Sequence, residues 1–325
     1  MSEKNKISVG IVGAAGYTGG ELLRILLHHP KVENIYPQSR SQHGKSVADV
    51  HTDLFFEDSI HFVAQVPQDV SVLFLCLPHG EAKQYMKDNE GYSDALIIDL
   101  SQDFRIKSDD NDFVYGLPEL NMEVLKSAKH IANPGCFATA IQIALMPLAK
   151  AGLLKQDIHI SAITGSTGAG VGLTSTSHYT WRSNNISSYK VFNHQHLGEI
   201  AQSITQLQDC CPSIHFVPYR GSFTRGILAS CYTHSDASQE ELEQIFFKYY
   251  VHNPFIKCIG RHPDIKQVVG TNNACVYVKK HEDVVFVEAV IDNLLKGASG
   301  QAVQNMNIAL GYPQHDGLLL KSPAY

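Results

Sequence analysis

"KISVGIVGAAGYTGGELLRILLHHP", residues 6–30, decides the fold of the first part of the chain. Residues 6–12 form an apolar run of the length of a short buried strand, and "GGELLRILLHH" carries its leucines at helical spacing. Between them Gly10, Gly13 and Gly16 recur at three-residue intervals. Strand, glycine turn and helix start together make a pyrophosphate cradle: the glycines permit the tight turn, and the free N–H groups of the helix N-terminus bind an anion. The pattern predicts a Rossmann dinucleotide-binding domain, with Gly10, Gly13, Gly16, Tyr17, Thr18 and Gly19 at the cofactor.

Working outward, the end of the second strand is where an acidic residue usually reads an adenosine 2′-hydroxyl. That neighbourhood reads "IYPQSRSQHGK" and has no acid. Ser39, Arg40, Ser41 and nearby Lys45 suit a 2′-phosphate instead, which favours NADP(H) over NAD; the plainer alternative is a solvated polar loop. "VSVLFLCLP" and "DALIIDLS" are continuous apolar runs ending in polar loops, as buried parallel strands should be. Ligands of such sheets lie beyond the strand C-terminal ends, which puts "LPHGEA", with Pro78, and "SQDFR" near cofactor or substrate. His79 reads as a cofactor-edge or structural residue rather than a catalytic one.

Downstream, "NPGCFATAIQIALMPL" (133–148) sets Cys136 at the start of a helix whose Ile141, Leu145 and Leu148 recur at helical spacing. A helix N-terminus stabilises a thiolate, the attacking form of cysteine, through its dipole and open N–H groups. Cys136 is therefore a candidate nucleophile, with a small buried hydrophobe as the alternative. In "NHQHLGEI" (193–200) His196 and Glu199 share a helix face at i, i+3, the pattern of an acid/base histidine with its carboxylate. A surface pair, or a metal pair formed by His194 and His196, are the competing readings; with no third ligand cluster nearby, no metal is expected. "SQEELEQIFFKYYVH" reads as a helix capped by Ser238, and the remaining segments alternate as strands. "GSTGAGVGLTSTSHYT" (165–180) reads as a binding loop, with Ser166 and Gly168 toward the cofactor. A mostly antiparallel sheet with a few helices, an α+β catalytic domain, is the expected partner of the Rossmann domain.

The bulk numbers agree with this division. A chain of 325 residues has room for two cores. A net charge of −6 gives no electrostatic reason to bind nucleic acid. No apolar run approaches the roughly 18 residues of a membrane span. "MSEKNK" has no secretory h-region, and seven cysteines without CxxC pairing fit a reducing cytoplasm.

"GIVGAAGYTGGELLRIL", "SRSQHGK", "LCLPHGEA", "IIDLSQDFR", "YGLPELN", "NPGCFATA", "HQHLGEI", "TRGILAS" and "DNLLKGASGQAVQNMN" stand in the order of one family. By these blocks the chain resembles the N-acetyl-gamma-glutamyl-phosphate reductases of arginine biosynthesis. It is more distantly similar to aspartate-semialdehyde dehydrogenases. The resemblance implies an NADP-binding domain over 1–135, completed by a C-terminal helix within about 299–325, and a catalytic and oligomerisation domain over 136–298. It implies a homo-oligomer, tetramer or dimer, that reduces an acyl phosphate with NADPH through a cysteine thioester and releases inorganic phosphate. Cys136 matches the nucleophile, His196 the acid/base and Glu199 its orienting carboxylate. Arg105 and Arg225 match cationic substrate positions, Asn133 a substrate residue, and Asn305 a residue beside the nicotinamide. Two segments depart from the family pattern: "HQHLGE" for "HRH.PE", and "PYRGSFTRGIL" for "PHLVPMTRGIL". The second brings in Arg220 and leaves the N-acyl group open to an N-succinyl or aminoadipyl alternative. The rival readings are an aspartate-semialdehyde dehydrogenase and a non-catalytic NADP-binding regulator.

Overall fold

The computed structural model describes residues 6–323. The reading of residues 1–5 as free of a secretory segment, and the last two residues of the expected C-terminal segment, lie outside the described residues.

The chain divides into two compact units, one running to Pro134 and including Ala298–Leu319, the other spanning Gly135–Gly297 with the chain from Leu320 onward. The first begins with β1 (Ile7–Val12), α1 (Tyr17–Leu26) and β2 (Val32–Gln38). Then come β3 (Val72–Leu75), α2 (Ala82–Asp88), β4 (Leu96–Asp99), β5 (Val114–Tyr115), α3 (Pro118–Leu125) and β6 (His130–Ala132). The six strands form one sheet in the order β2-β1-β3-β4-β6-β5, with every neighbouring pair parallel. β3 and β4 are buried along their whole length, which is why each reads as an unbroken apolar run. The strand order reverses direction between β1 and β3, and a doubly wound sheet opens its ligand crevice at such a point.

The second unit opens with α4 (Cys136–Lys150), then β7 (Ile158–Thr164), α5 (Tyr179–Arg182), β8 (Ser187–Ser188) and α6 (Leu197–Leu207). It continues with β9 (Ile214–Arg220), β10 (Ile227–His234), α7 (Gln239–Tyr250), β11 (Ile256–Cys258), β12 (Ala274–His281) and β13 (Val284–Ile291). Its sheet runs β11-β12-β13-β10-β7-β9-β8. The pairs β12–β13, β13–β10, β10–β7 and β9–β8 are antiparallel, whereas β11–β12 and β7–β9 are parallel. The expected fold, a Rossmann domain with an α+β companion whose sheet is mostly antiparallel, is the fold observed. Ser238 caps α7 in a capping box with Glu241. The last helix, α8 (Ser299–Ala309), returns to the first unit, where it packs on α1, α3 and β4.

The periodicity of α4 leads to the expectation of one apolar face, but every residue from Phe137 to Ala149 is buried. The sheet strands β10 and β13 cover one side of α4, and α6 and α7 cover others. A helix enclosed on all sides is apolar all round. This enclosure holds the first residue of α4 in place.

Candidate active site

In the first unit a cavity of about 730 Å³ opens at the carboxyl ends of β1 and β3. Its lining includes Gly13, Gly16, Ser39, Arg40, Ser41 and Pro78, six of the residues assigned to the cofactor from sequence. Gly13 has φ +80, and a Cβ there would lie 2.3 Å from the Cys76 carbonyl oxygen, so only glycine fits this turn. Gly16 is the N-cap of α1, whose first turn carries no side-chain cap and no acid, leaving its N–H groups open to an anion. Gly10 and Gly19 instead serve close packing: a Cβ would meet Val66 at 2.4 Å from Gly10 and Ala14 at 2.5 Å from Gly19. Tyr17 and Thr18 start α1, and Ser299 Oγ donates to the Thr18 carbonyl at 2.9 Å. At the far rim Arg40 pairs with Glu81 at 3.0 Å, both well exposed. Glu81 belongs to "LPHGEA", but nothing in residues 38–45 points to it as the partner of Arg40. These residues fit a dinucleotide: a Cβ-free turn, an uncapped helix N-terminus, and hydroxyls with a cation at the ribose end.

Arg105, Asn133 and Asn305 also come together within the first unit. The buried Arg105 donates from Nε to the Asn133 carbonyl (2.8 Å) and from a terminal nitrogen to the Leu100 carbonyl (2.9 Å). Asn133 donates through Nδ2 to the Ala298 carbonyl (3.0 Å) and accepts from Asn305 Nδ2 through Oδ1 (3.1 Å). Asn305 Nδ2 also donates to the Gly116 carbonyl (2.8 Å), while Asn305 Oδ1 is a buried acceptor with no partner. His79 is exposed and accepts from the Gln102 N–H at 3.1 Å, so it steadies the "SQDFR" loop.

In the second unit Cys136 is the first residue of α4, half-buried, behind an extended Gly135 N-cap. No side chain caps α4 and no acid stands in its first turn, so the dipole end faces the sulfur. The Gly135 N–H donates to Glu199 Oε2 at 2.9 Å, and Glu199 Oε1 lies 3.9 Å from His196 Nε2. One buried carboxylate thus ties the cysteine turn to the histidine. Gly297 closes the other side: a Cβ there would come within 2.9 Å of Cys136 Cβ. Five other thiols are pushed up by burial, Cys76 to about 12 and Cys258 to about 11, with Cys231, Cys211 and Cys275 also raised. They stay protonated and poorly nucleophilic.

His196 is the N-cap of α6 and is buried. Its ring meets Phe137 edge-on at 6.4 Å and His194 at 4.5 Å, and the His196 backbone N–H donates to His194 Nδ1 at 3.2 Å. His194 sits among Phe137, Phe216 and Tyr189. Burial, then the charges of Lys190 and Arg220, pull His194 down to about 4, which keeps it neutral beside His196. Tyr189 carried no sequence signal, standing alone in a Ser/Asn-rich stretch. Its phenol is pushed up to about 12 by burial and then by the nearby Cys136 thiol, against the Arg220 and Arg182 charges.

Arg225 forms a forked pair with the buried Asp292, at 3.0 Å and 3.2 Å. Asp292 also accepts from the N–H groups of Gly270 (2.7 Å), Leu294 (2.8 Å) and Leu295 (3.1 Å). Asn293 accepts from the Gly226 N–H (2.7 Å) and donates to Thr167 Oγ1 (2.9 Å), fixing the turn that carries Ser166 and Gly168. Asp292 and Asn293, which open the "DNLLKGASG" block but have no role assigned from sequence, are the positioning pair of this side of the unit.

A family model described as semialdehyde dehydrogenase, NAD binding domain, matches residues 8–128, and one described as semialdehyde dehydrogenase, dimerisation domain, matches residues 136–293. The N-acetyl-gamma-glutamyl-phosphate reductase of Bacteroides thetaiotaomicron is 50% identical over 321 residues, covering 98% of this chain and 100% of that protein. The protein of the same name from Christiangramia forsetii is 49% identical over 317 residues, covering 97% and 99%. Among solved structures, aspartate semialdehyde dehydrogenase II of Vibrio cholerae, complexed with ASA, aligns with a TM-score of 0.75 at 17% identity over 95% of this chain and 99% of that one. Aspartate semialdehyde dehydrogenase of Candida albicans, with NADP, aligns at 0.72 and 13% identity over 94% and 98%. The structural likenesses speak for the fold.

Proposed function

We propose that this chain, which belongs to the N-acetyl-gamma-glutamyl-phosphate reductases of the semialdehyde dehydrogenase family, reduces N-acetyl-gamma-glutamyl phosphate to the 5-semialdehyde and inorganic phosphate, using NADPH, in arginine biosynthesis. The observation that carries the reading is one half identity across 98% of the chain, in a protein that holds Cys136 at an open helix N-terminus with Glu199 linking it to His196.

The chemistry follows from the second unit. The Cys136 thiolate, favoured by the α4 dipole, attacks the acyl-phosphate carbonyl and expels phosphate, forming a thioester. Open N–H groups of the first turn of α4 stabilise the oxyanion; the Gly135 N–H, committed to Glu199, is not among them. The nicotinamide, when bound, supplies the hydride that reduces the thioester to a thiohemiacetal. His196, the acid/base, protonates its oxygen on formation and removes that proton as the aldehyde leaves and the thiolate returns. Glu199 orients His196. Neutral His194 adds no positive charge to oppose protonation of its neighbour.

In the first unit Gly13, Gly16, Tyr17 and Thr18 would hold the pyrophosphate, Ser39, Arg40 and Ser41 the 2′-phosphate, and Pro78 the cofactor's edge. Asn305 would meet the nicotinamide; the sequence reading assigns Ser166 and Gly168 to the cofactor as well. The family resemblance assigns Arg105, Asn133 and Arg225 to the substrate, and Arg105 and Arg225 are held for it by their bonds to the Asn133 and Leu100 carbonyls and to Asp292. Among the described residues no helix is long and apolar enough to cross a membrane, and all seven cysteines are free, which suits the reducing cytoplasm. The match of residues 136–293 to a dimerisation domain supports a homodimer or a tetramer built from dimers.

The test is phosphate-dependent reduction of NADP with N-acetylglutamate semialdehyde and with aspartate semialdehyde. Preference for the first by at least tenfold in kcat/KM is expected. Preference for the second would replace this reading with the related dehydrogenase.

A further inference from the structure

Arg220 ends β9 with partners on both sides, Thr164 of β7 and Ser187 of β8. Arg182 clamps this corner from beneath. Its guanidinium donates to the carbonyls of Thr176, Asn185 and Arg220 and to Ser187 Oγ, so its donors are committed to the protein itself. Arg220, half-buried, lays its guanidinium over the Tyr189 ring at 4.7 Å from the centroid. Among the described residues no carboxylate pairs with Arg220, and its Nε is buried without a hydrogen-bond partner. Of the neighbouring cations, Arg225 pairs with Asp292 and Lys190 donates to Gln195 Oε1 at 2.8 Å.

A half-buried guanidinium without a counter-ion is open to an anion, and its forked donors match a carboxylate. Ring contacts lead from it to the reaction centre. Arg220 faces Tyr189, Tyr189 meets His194 at 5.8 Å, and His194 meets His196 at 4.5 Å. Tyr189 is also within electrostatic reach of the Cys136 thiol. Arg220 is therefore linked to the acid/base through two rings, Tyr189 and His194.

We propose that Arg220 anchors a substrate carboxylate remote from the acyl phosphate. The proposal rests on the acyl-phosphate reductase reading above. Two sources offer that carboxylate: the α-carboxylate of the glutamyl moiety, or a second carboxylate at the end of a dicarboxylic N-acyl group such as succinyl.

The experiment compares the unaltered enzyme with Arg220→Gln, Arg220→Met and Arg220→Lys. It measures kcat and KM for phosphate-dependent oxidation of N-acetyl- and N-succinyl-glutamate semialdehyde, with the thermal unfolding midpoint recorded for each. Losing a charge-assisted hydrogen bond predicts a KM rise of roughly 10- to 100-fold in the Gln and Met variants, with kcat changed less than about threefold and partial rescue by Lys. A rise for both substrates assigns the α-carboxylate; a rise for the succinyl substrate alone assigns the acyl carboxylate. An unchanged KM for both substrates in the Gln and Met variants overturns the proposal. So does a fall in kcat that tracks the unfolding midpoint at constant KM, since that is a structural effect. An unaltered enzyme that turns over neither substrate would refute the activity itself, and the role of Arg220 with it.

Discussion

The two units meet their ligands with different parts of the chain. At the mouth of the first sheet the anion cradle is main-chain, made of the Gly13 turn, the Gly16 N-cap and the bare first turn of α1, with Ser39, Arg40 and Ser41 added at its rim. In the second unit they are side chains drawn from far apart in sequence: Cys136 on α4, Tyr189 after β8, His196 and Glu199 at α6, and Arg220 at the end of β9. A backbone cradle depends on a few conformations that one residue type permits. A side-chain cluster depends on the sheet that brings its members together. The first should therefore fail through sterics and the second through chemistry, with little loss of fold.

The sharpest break in this comparison comes at the thiol. Cys136→Ser is expected to lower turnover by on the order of 10⁴-fold or more while NADPH binding, read by fluorescence titration, stays within twofold. Near-normal turnover would rule out the covalent route. His196→Asn should cost about 10²–10⁴-fold in kcat, again with cofactor affinity retained.

Gly13→Ala probes the other side. Its Cβ would collide with the Cys76 carbonyl at a φ of +80. A destabilisation on the order of 4 kcal/mol, or loss of NADPH binding, is expected by denaturant titration. A variant as stable as the parent with unchanged cofactor affinity would show that the turn is not the cradle.

The smallest effect concerns pH. His194 is pulled down to about 4 from an ordinary 6.5, so folding favours its neutral form. The stability it contributes is present above pH 6.5 and is lost as pH falls from 6.5 through 4, at most about 3 kcal/mol. In the first unit Asp99 is pushed up by burial to about 6, and its contribution runs the other way, lost as pH rises from 3.8 through 6. Trp181, the chain's one tryptophan, reports on the second unit. Its fluorescence should show the urea midpoint falling between pH 6.5 and 4, and His194→Gln should flatten that slope. An equal slope in the variant would assign the acid sensitivity to other groups.

Much of the first unit was legible because its signals are local. Unbroken apolar runs mark β3 and β4, and the Gly13–Gly16 turn sits next to the helix that it serves. The cation at Arg40 was read, but its partner Glu81 was not, since an exposed ion pair leaves no pattern. "DFR" offers Arg105 as a cation, but a letter has no direction, and its bonds to the carbonyls of Asn133 and Leu100 come only from the fold. In the second unit Cys136, His196 and Glu199 each announced themselves through turn and helix position. Tyr189, Gly297, Asp292 and Asn293 did not, because their roles arise only from what folds against them.

By itself the sequence determined the succession of strands and helices, the glycine turn, the cysteine at a helix start and the His196–Glu199 spacing. Each of these is governed by residues within a few positions, through backbone sterics, side-chain periodicity and capping. Tertiary structure alone decided that Glu199 would accept from Gly135, that Gly297 would wall in Cys136, and that Arg220 would stand uncompensated over Tyr189. Those outcomes depend on strand order and on α4 being enclosed on several sides, and no local pattern encodes which distant residue fills a buried neighbour's last contact.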